Sequence, residues 1–215
     1  MDRVGEAFVW PFRDPQWVSK VLVMGLILLI PIVGGINGLG WMLAALRRLR
    51  AGDERLPSAN FDHLGTGLRL FAVFLAYYLL VIAAAAIAYL PAVLLLADQG
   101  RADAANPALV ALGVVLSLLA FGVVTLGSLL LTFLTPAVVL AFDRGGMPAG
   151  LRLPAVLRQA RASLTNTLVA GLMLIAAGLI AQLGLAVCIV GVVFTFAYSL
   201  AMQAWIVRSY ELGST

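Results

Sequence analysis

Few residues in this chain are equipped for chemistry, and most of those lie inside apolar sequence. Thr125, Ser128 and Thr132 recur at i, i+3 and i+7 and so share one helical face. Ser199 and Gln203, four apart, share another. Together with Asn37, Gln182 and Thr195, these groups could line a polar path across a membrane or hydrogen-bond neighbouring helices for about 0.6 kcal/mol each. Helix-to-helix bonding is the expected use. The chain has one cysteine, Cys188, and one histidine, His63. A lone cysteine excludes an intramolecular disulfide and a multi-cysteine metal site, and inside an apolar run it reads as a small buried hydrophobe. His63, next to Asp62 in a loop, reads as a solvated residue. No phosphate-binding glycine loop of the Walker type, no His-Glu-x-x-His and no Gly-x-Ser-x-Gly occurs. Nor does any nucleophile have a base in evident reach. The expectation is a non-enzymatic protein with no cofactor and no metal.

The elements that carry these residues are membrane helices. Of 215 residues, 63% are hydrophobic and 11% charged, against roughly 45–50% and 25% in soluble domains. Four stretches contain no Asp, Glu, Lys or Arg: Val21–Leu46, Leu70–Ala97, Ala104–Phe142 and Ala162–Val207. A bilayer crossing needs about 20 apolar residues. This excludes a soluble enzyme, a disulfide-stapled secreted domain and a nucleic-acid-binding domain, despite a net charge of +4. The fold class is all-α: a single integral membrane domain over residues 1–215, a polytopic bundle of four full crossings plus a broken or re-entrant N-terminal hairpin.

Charge threads the stretches. The third is read as one crossing, 107–135, ended at Thr135-Pro136 because proline disrupts a continuing helix; two crossings would place Arg101 with Arg144, Arg152, Arg158 and Arg161. The fourth is too long for one helix and turns at Gln182-Leu183-Gly184, giving crossings 166–183 and 184–207. Pro91 marks the outer end of the crossing 70–97. The first stretch, 21–46, is interrupted by Pro31, Gly34, Gly35, Gly38 and Gly40, which make an unbroken helix costly at about 1 kcal/mol per glycine and 3 for proline. As a hairpin it puts thirteen of the fourteen basic residues on the cytoplasmic side; as a single crossing it leaves Arg3, Arg13, Lys20 and Arg101 outside. The charge rule favours the hairpin. In either case the C-terminus is expected on the cytoplasmic side of a cytoplasmic (inner) membrane.

The remaining pieces read as interfacial. Residues 1–20 hold Trp10, Trp17 and Lys20 at headgroup level, where tryptophan anchors and lysine snorkels, and Arg47 and Arg48 flank the other end of the hairpin. Asp14-Pro15 suits a helix start, the aspartate capping and the proline in the first turn. Residues 143–165 form a cytoplasmic amphipathic segment, with Leu153, Val156, Leu157, Ala160 and Leu164 on one side and Arg152, Arg158 and Arg161 around them. These three arginines are candidate contacts for anionic lipid. Gly34 and Gly38 form a small-x-x-x-small pair, and Gly171/Gly178 and Gly184/Gly191 are spaced by seven, patterns that allow close helix approach. The expected partners are membrane lipids, a second copy of the chain or another membrane protein, and no nucleic acid.

Certain residues also carry a family resemblance. Asp14-Pro15-x-Trp17-x-x-Lys20 is followed by Leu29-Ile30-Pro31-Ile32-Val33-Gly34, then Gly40, Arg47-Arg48, Gly52, Leu56-Pro57, Phe61-Asp62 and Gly67-Leu68. The chain closes with Cys188-Ile189-Val190-Gly191, Phe196, Tyr198 and Tyr210. This order resembles the prokaryotic membrane family called domain of unknown function 4013 over nearly the whole chain. The resemblance implies an integral membrane protein and carries over no catalytic residue. The function expected is packing with lipid or protein partners; the alternative is a small channel, permease or lipid-translocating protein, with the Pro31–Gly40 break and the Thr125 face lining the path. A single cysteine at Ser19, with Cys188 replaced, is expected to stay unlabelled by an impermeant thiol reagent outside intact cells. External labelling would establish a single crossing by residues 21–46.

Overall fold

The computed structural model describes residues 4–102, 104–184 and 188–213. Arg3 of the charge count and the side chain of Cys188 lie outside the described set. After two short 3-10 turns, Val4–Phe8 and Trp10–Arg13, the chain forms α1 (Trp17–Leu28), α2 (Val33–Arg50), α3 (Leu64–Gln99), α4 (Pro107–Gly150), α5 (Leu153–Ala162), α6 (Leu164–Leu183) and α7 (Cys188–Gly213). Among the described residues four helices, α3, α4, α6 and α7 from Gly191, are long and apolar enough to cross a membrane. The protein is an all-α, multi-pass membrane bundle.

Two compact units are present, one made of the chain up to Val73 and from Thr132, the other of Phe74–Leu131. In the first, α7 is the hub, packed on α6, α1, α2 and the N-terminal turns. Its approach to α1 requires Gly25, where a Cβ would collide with the Val193 carbonyl. The loop after α2 returns along it, Trp41 Nε1 donating to the Pro57 carbonyl (3.2 Å) and Asn37 Nδ2 to the Asn60 carbonyl (2.8 Å). The start of α3 then lies backbone against backbone on α2: a Cβ on Gly67 would strike the Ile36 carbonyl, and one on Gly40 the His63 carbonyl. Within the second unit, Gly113 meets the Leu96 side chain and Gly127 that of Val81, while Ile87, Leu94, Leu118, Phe121 and Leu126 are more than 60% exposed. Such an apolar exterior is suited to lipid, since backbone groups inside a helix are already satisfied.

The break in the first stretch falls at Leu29–Ile32, and the glycines expected to cause it do not. Gly34, Gly35, Gly38 and Gly40 all lie inside α2. Glycine's helix penalty is measured in exposed helices; here Gly34 and Gly40 lie against backbone where a Cβ has no room, and Gly38 packs under the Leu28 and Leu200 side chains. The turn itself is a γ-turn, with the Val33 N–H donating to the Pro31 carbonyl (2.7 Å) and Ile32 at φ 64, ψ −59. That conformation is strained for a β-branched residue. Both prolines read as helix ends are instead internal: α3 runs through Pro91 to Gln99 and α4 through Pro136. A proline removes one backbone bond and membrane helices absorb it. The non-helical residue in α4 is Gly146, φ 67, further on. α6 ends at Leu183, at the expected turn, and residues 185–187 lie outside the described set.

These contacts predict a ranking in thermal unfolding in detergent. Gly67→Ala should cost about 1–3 kcal/mol through overpacking. Gly35→Ala, whose Cβ meets nothing within 4 Å, should cost nothing, and Ile32→Gly should gain about 1 kcal/mol by releasing the strained turn. Equal melting of the two alanine variants would contradict the α2–α3 contact.

Candidate functional site

Charged residues of the first unit form two clusters around buried carboxylates; Arg13 pairs separately with Glu6 and Glu54, and a further set of arginines pairs with no described acid. In the first cluster the Asp14 carboxylate is almost fully buried and accepts three bonds: Gln16 N–H (2.8 Å) and Lys20 Nζ (2.7 Å) within the α1 start, and Leu56 N–H (2.9 Å) from the loop after α2. The Leu56 carbonyl accepts from Lys20 Nζ (2.8 Å) and from Arg48 Nη1 (3.0 Å). One loop residue therefore joins the first turn of α1 to the last turn of α2. Burial pushes the Asp14 carboxyl up, but Lys20 and the two backbone N–H donors outweigh it and hold it below its ordinary 3.8.

The second cluster forms where α2, α4 and α7 bring charges together. Asp143, its side chain 3% exposed, accepts from Arg47 Nε (2.8 Å) and from Arg50 Nη1. Glu211 accepts from Arg50 Nε (2.8 Å), Arg144 Nη2 (3.0 Å) and Arg208 Nη1 (2.8 Å). Four guanidinium groups thus enclose two carboxylates, with Arg50 bridging both. A cavity of about 560 Å³ adjoins this cluster, lined by Arg47, Thr66, Arg69, Phe142, Asp143, Gly146, Met147 and Pro148.

The structure redistributes the residues expected to act at the interface. Trp10 is fully buried and stacked on Trp205, centroids 5.8 Å apart, so it packs the protein instead of facing headgroups. Arg13 sits 5.8 Å over the same Trp205 ring and pairs with Glu54 (2.6 Å). Trp17 remains half-buried, edge-on to Phe12 at 4.7 Å. Lys20, read as snorkelling to phosphate, has its ammonium committed to Asp14 and Leu56. Arg47 and Arg48 are likewise engaged, with Asp143 and with Leu56 and Asp53. By contrast Arg152, Arg158 and Arg161, around the amphipathic α5, are exposed and have no ion pair or side-chain hydrogen bond among the described residues. The same holds for Arg69.

The polar residues proposed for a path separate similarly. Asn37 is buried against the Asn60 carbonyl, and Gln203 reaches Ser199 (3.4 Å), whose hydroxyl donates to the Ala177 carbonyl on α6 (2.8 Å). Thr195 donates to the Ala181 carbonyl, again from α7 to α6 (2.9 Å). Thr132 belongs to this first unit, whereas Thr125, exposed, and Ser128, half-buried, belong to the second. His63 Nε2 lies 3.0 Å from the Ser58 carbonyl in its own loop. Asp143, Glu211, Arg69 and Thr66 were not singled out by sequence. Two of them carried a signal: Asp143 directly follows one uncharged stretch and Glu211 lies just past another, acids set among arginines at the ends of apolar helices.

The Asp14 cluster makes a pH prediction. A carboxyl held below its ordinary value adds stability that is complete above about pH 4 and is lost as pH falls through the folded value. Asp14→Asn should destabilise the protein at pH 7 by about 3 kcal/mol, leaving Lys20 unpaired. The gap between variant and parent should narrow on acidification below about pH 4. A gap constant from pH 7 to pH 3 in detergent melting would refute the assignment.

The family described as a protein of unknown function (DUF4013) matches residues 23–208. No curated protein and no solved structure matches the chain.

Proposed function

The chain belongs to the DUF4013 family of unknown function, and on that premise we propose that it is a non-catalytic protein of the prokaryotic cytoplasmic membrane that holds lipid or protein partners against an arginine-rich cytoplasmic face. One observation carries this reading: cations at the rim of the first unit are left without acids, while hydroxyl and amide donors inside it go to backbone carbonyls. Asn37, Thr195 and Ser199 each bond a backbone carbonyl. Arg69, Arg152, Arg158 and Arg161 are exposed and unpaired among the described residues. Unpaired guanidinium groups next to membrane-crossing helices suit phosphate, which they bind in bidentate fashion. The junction at Leu56 supports the hairpin reading of residues 21–46, because both arms open onto one loop residue. A hairpin places the N-terminus and the C-terminus on the cytoplasmic side with every basic residue except Arg101.

In liposomes, the purified protein should leave ion, solute and lipid flux at the rate of protein-free vesicles. In nanodiscs of mixed phosphatidylglycerol and phosphatidylcholine, replacing Arg152, Arg158 and Arg161 together by glutamine should reduce the enrichment of phosphatidylglycerol around the protein. Gradient-driven flux that a bulky residue at Gly34 or Ser128 abolishes would replace this reading with a transport function.

A further inference from the structure

The 560 Å³ cavity beside the Asp143 cluster has a composition that the structural role of that cluster does not require. Its volume falls in the range of small-molecule sites. Asp143 is the only acid in its lining, and both carboxylate oxygens are already occupied, one by Arg47 and the other by Arg50. The acid is therefore neutralised in place. Arg47 bonds Asp143 through Nε alone, which leaves its two Nη groups without a described partner. Arg69 donates to no described residue, and the Thr66 hydroxyl has no described partner either. The cavity thus presents one uncompensated positive charge, a second guanidinium with spare donors and a hydroxyl.

The rest of the lining is apolar. Phe142, Met147 and Pro148 form that part of the wall, with Gly146 at φ 67 breaking α4 beside them. Thr66 and Arg69 begin α3 and Phe142 to Pro148 end α4, two helices with candidate membrane spans. Leu68, adjacent to Arg69, is 53% exposed. A cationic recess with an apolar side, at the ends of membrane helices, matches a ligand that is phosphate at one end and hydrocarbon at the other.

We propose that this cavity binds the phosphate of an anionic phospholipid headgroup through Arg69, the free Nη groups of Arg47 and the Thr66 hydroxyl, with the glycerol backbone against Phe142, Met147 and Pro148. The proposal rests on the lipid-holding reading above and deepens it by giving one lipid a defined seat, distinct from the α5 arginines.

The full chain, purified in detergent and titrated with phosphatidylglycerol, is read by native mass spectrometry for bound lipid. One lipid per chain should be retained. Arg69→Gln should weaken it about tenfold or more, as expected for loss of a charge-assisted hydrogen bond, Thr66→Val should weaken it less, and Arg69→Lys, which keeps the charge but loses the bidentate geometry, should fall between Arg69→Gln and the parent. Because Arg69 bonds no described residue, Arg69→Gln should melt like the parent, separating lost binding from lost folding. Retention by a normally folded Arg69→Gln variant equal to that of the parent would overturn the site. So would inorganic phosphate alone binding as tightly as the lipid, which would make the cavity a free-anion site. Flux in liposomes would refute the underlying function without changing lipid retention, so the two failures are distinguishable.

Discussion

Removing Asp143 and Glu211 from water is the constraint on which the first unit turns. A carboxylate deprived of solvent costs several kcal/mol unless its lone pairs are filled with good geometry, and here five arginine contacts fill them. Those arginines come from α2, α4 and α7, so the requirement is met only when the three helices stand in one register. Arg50 is the shared member: a one-residue slip of α2 would rotate it by about 100° and leave both acids short of a donor. The same register sets the place of Arg47, and with it one wall of the cavity. The cluster therefore acts as a specificity device more than a source of net stability, since a buried ion network of this kind often only breaks even against apolar packing.

Apolar packing supplies what the charges do not, but in a membrane it works differently. Lipid tails are as apolar as the side chains they would replace, so helices associate through close van der Waals contact. Gly25 against Val193, and Gly40 and Gly67 against each other's helices, bring backbones into direct contact. Hydroxyl-to-carbonyl bonds from α7 to α6, at Thr195 and Ser199, add direction to contacts that would otherwise allow sliding. The N-terminal segment is held on α7 by aromatic rings, Trp10 on Trp205 and Phe12 on Tyr198.

What was legible in the sequence follows the same division. The absence of charge located α3, α4, α6 and α7, because a charged group at mid-bilayer is expensive whatever its neighbours. The broken first stretch was legible as broken, through Pro31, but the glycines after it were misread. Their cost in an isolated helix is local and visible, whereas the contact that offsets it lies in α1, α7 or α3. Trp10 was misread for the same reason, since composition cannot reveal a partner at Trp205. Pro91 and Pro136 show the converse error, a local rule from soluble helices applied where surrounding protein and lipid leave the helix no better conformation. The candidate site was half legible: unpaired arginines on α5 follow from amphipathic spacing, but the Asp143 cluster and the cavity need residues about 90 apart in sequence to meet.

Eight of the arginines fall into two groups that a count of basic residues merges. Arg47, Arg50, Arg144 and Arg208 are bonded to buried acids, while Arg69, Arg152, Arg158 and Arg161 face outward. On the proposed topology all eight oppose export of their loops while the chain inserts, when none has yet found its partner. After folding, the first group is neutralised, Arg47 still keeping its Nη donors, and the second keeps its charge available to phosphate. The positive-inside pattern therefore does not by itself identify a lipid-binding surface. That distinction depends on which cations the folded protein leaves without an acid, and here it isolates Arg69, set in a cavity, from the three arginines spread along α5.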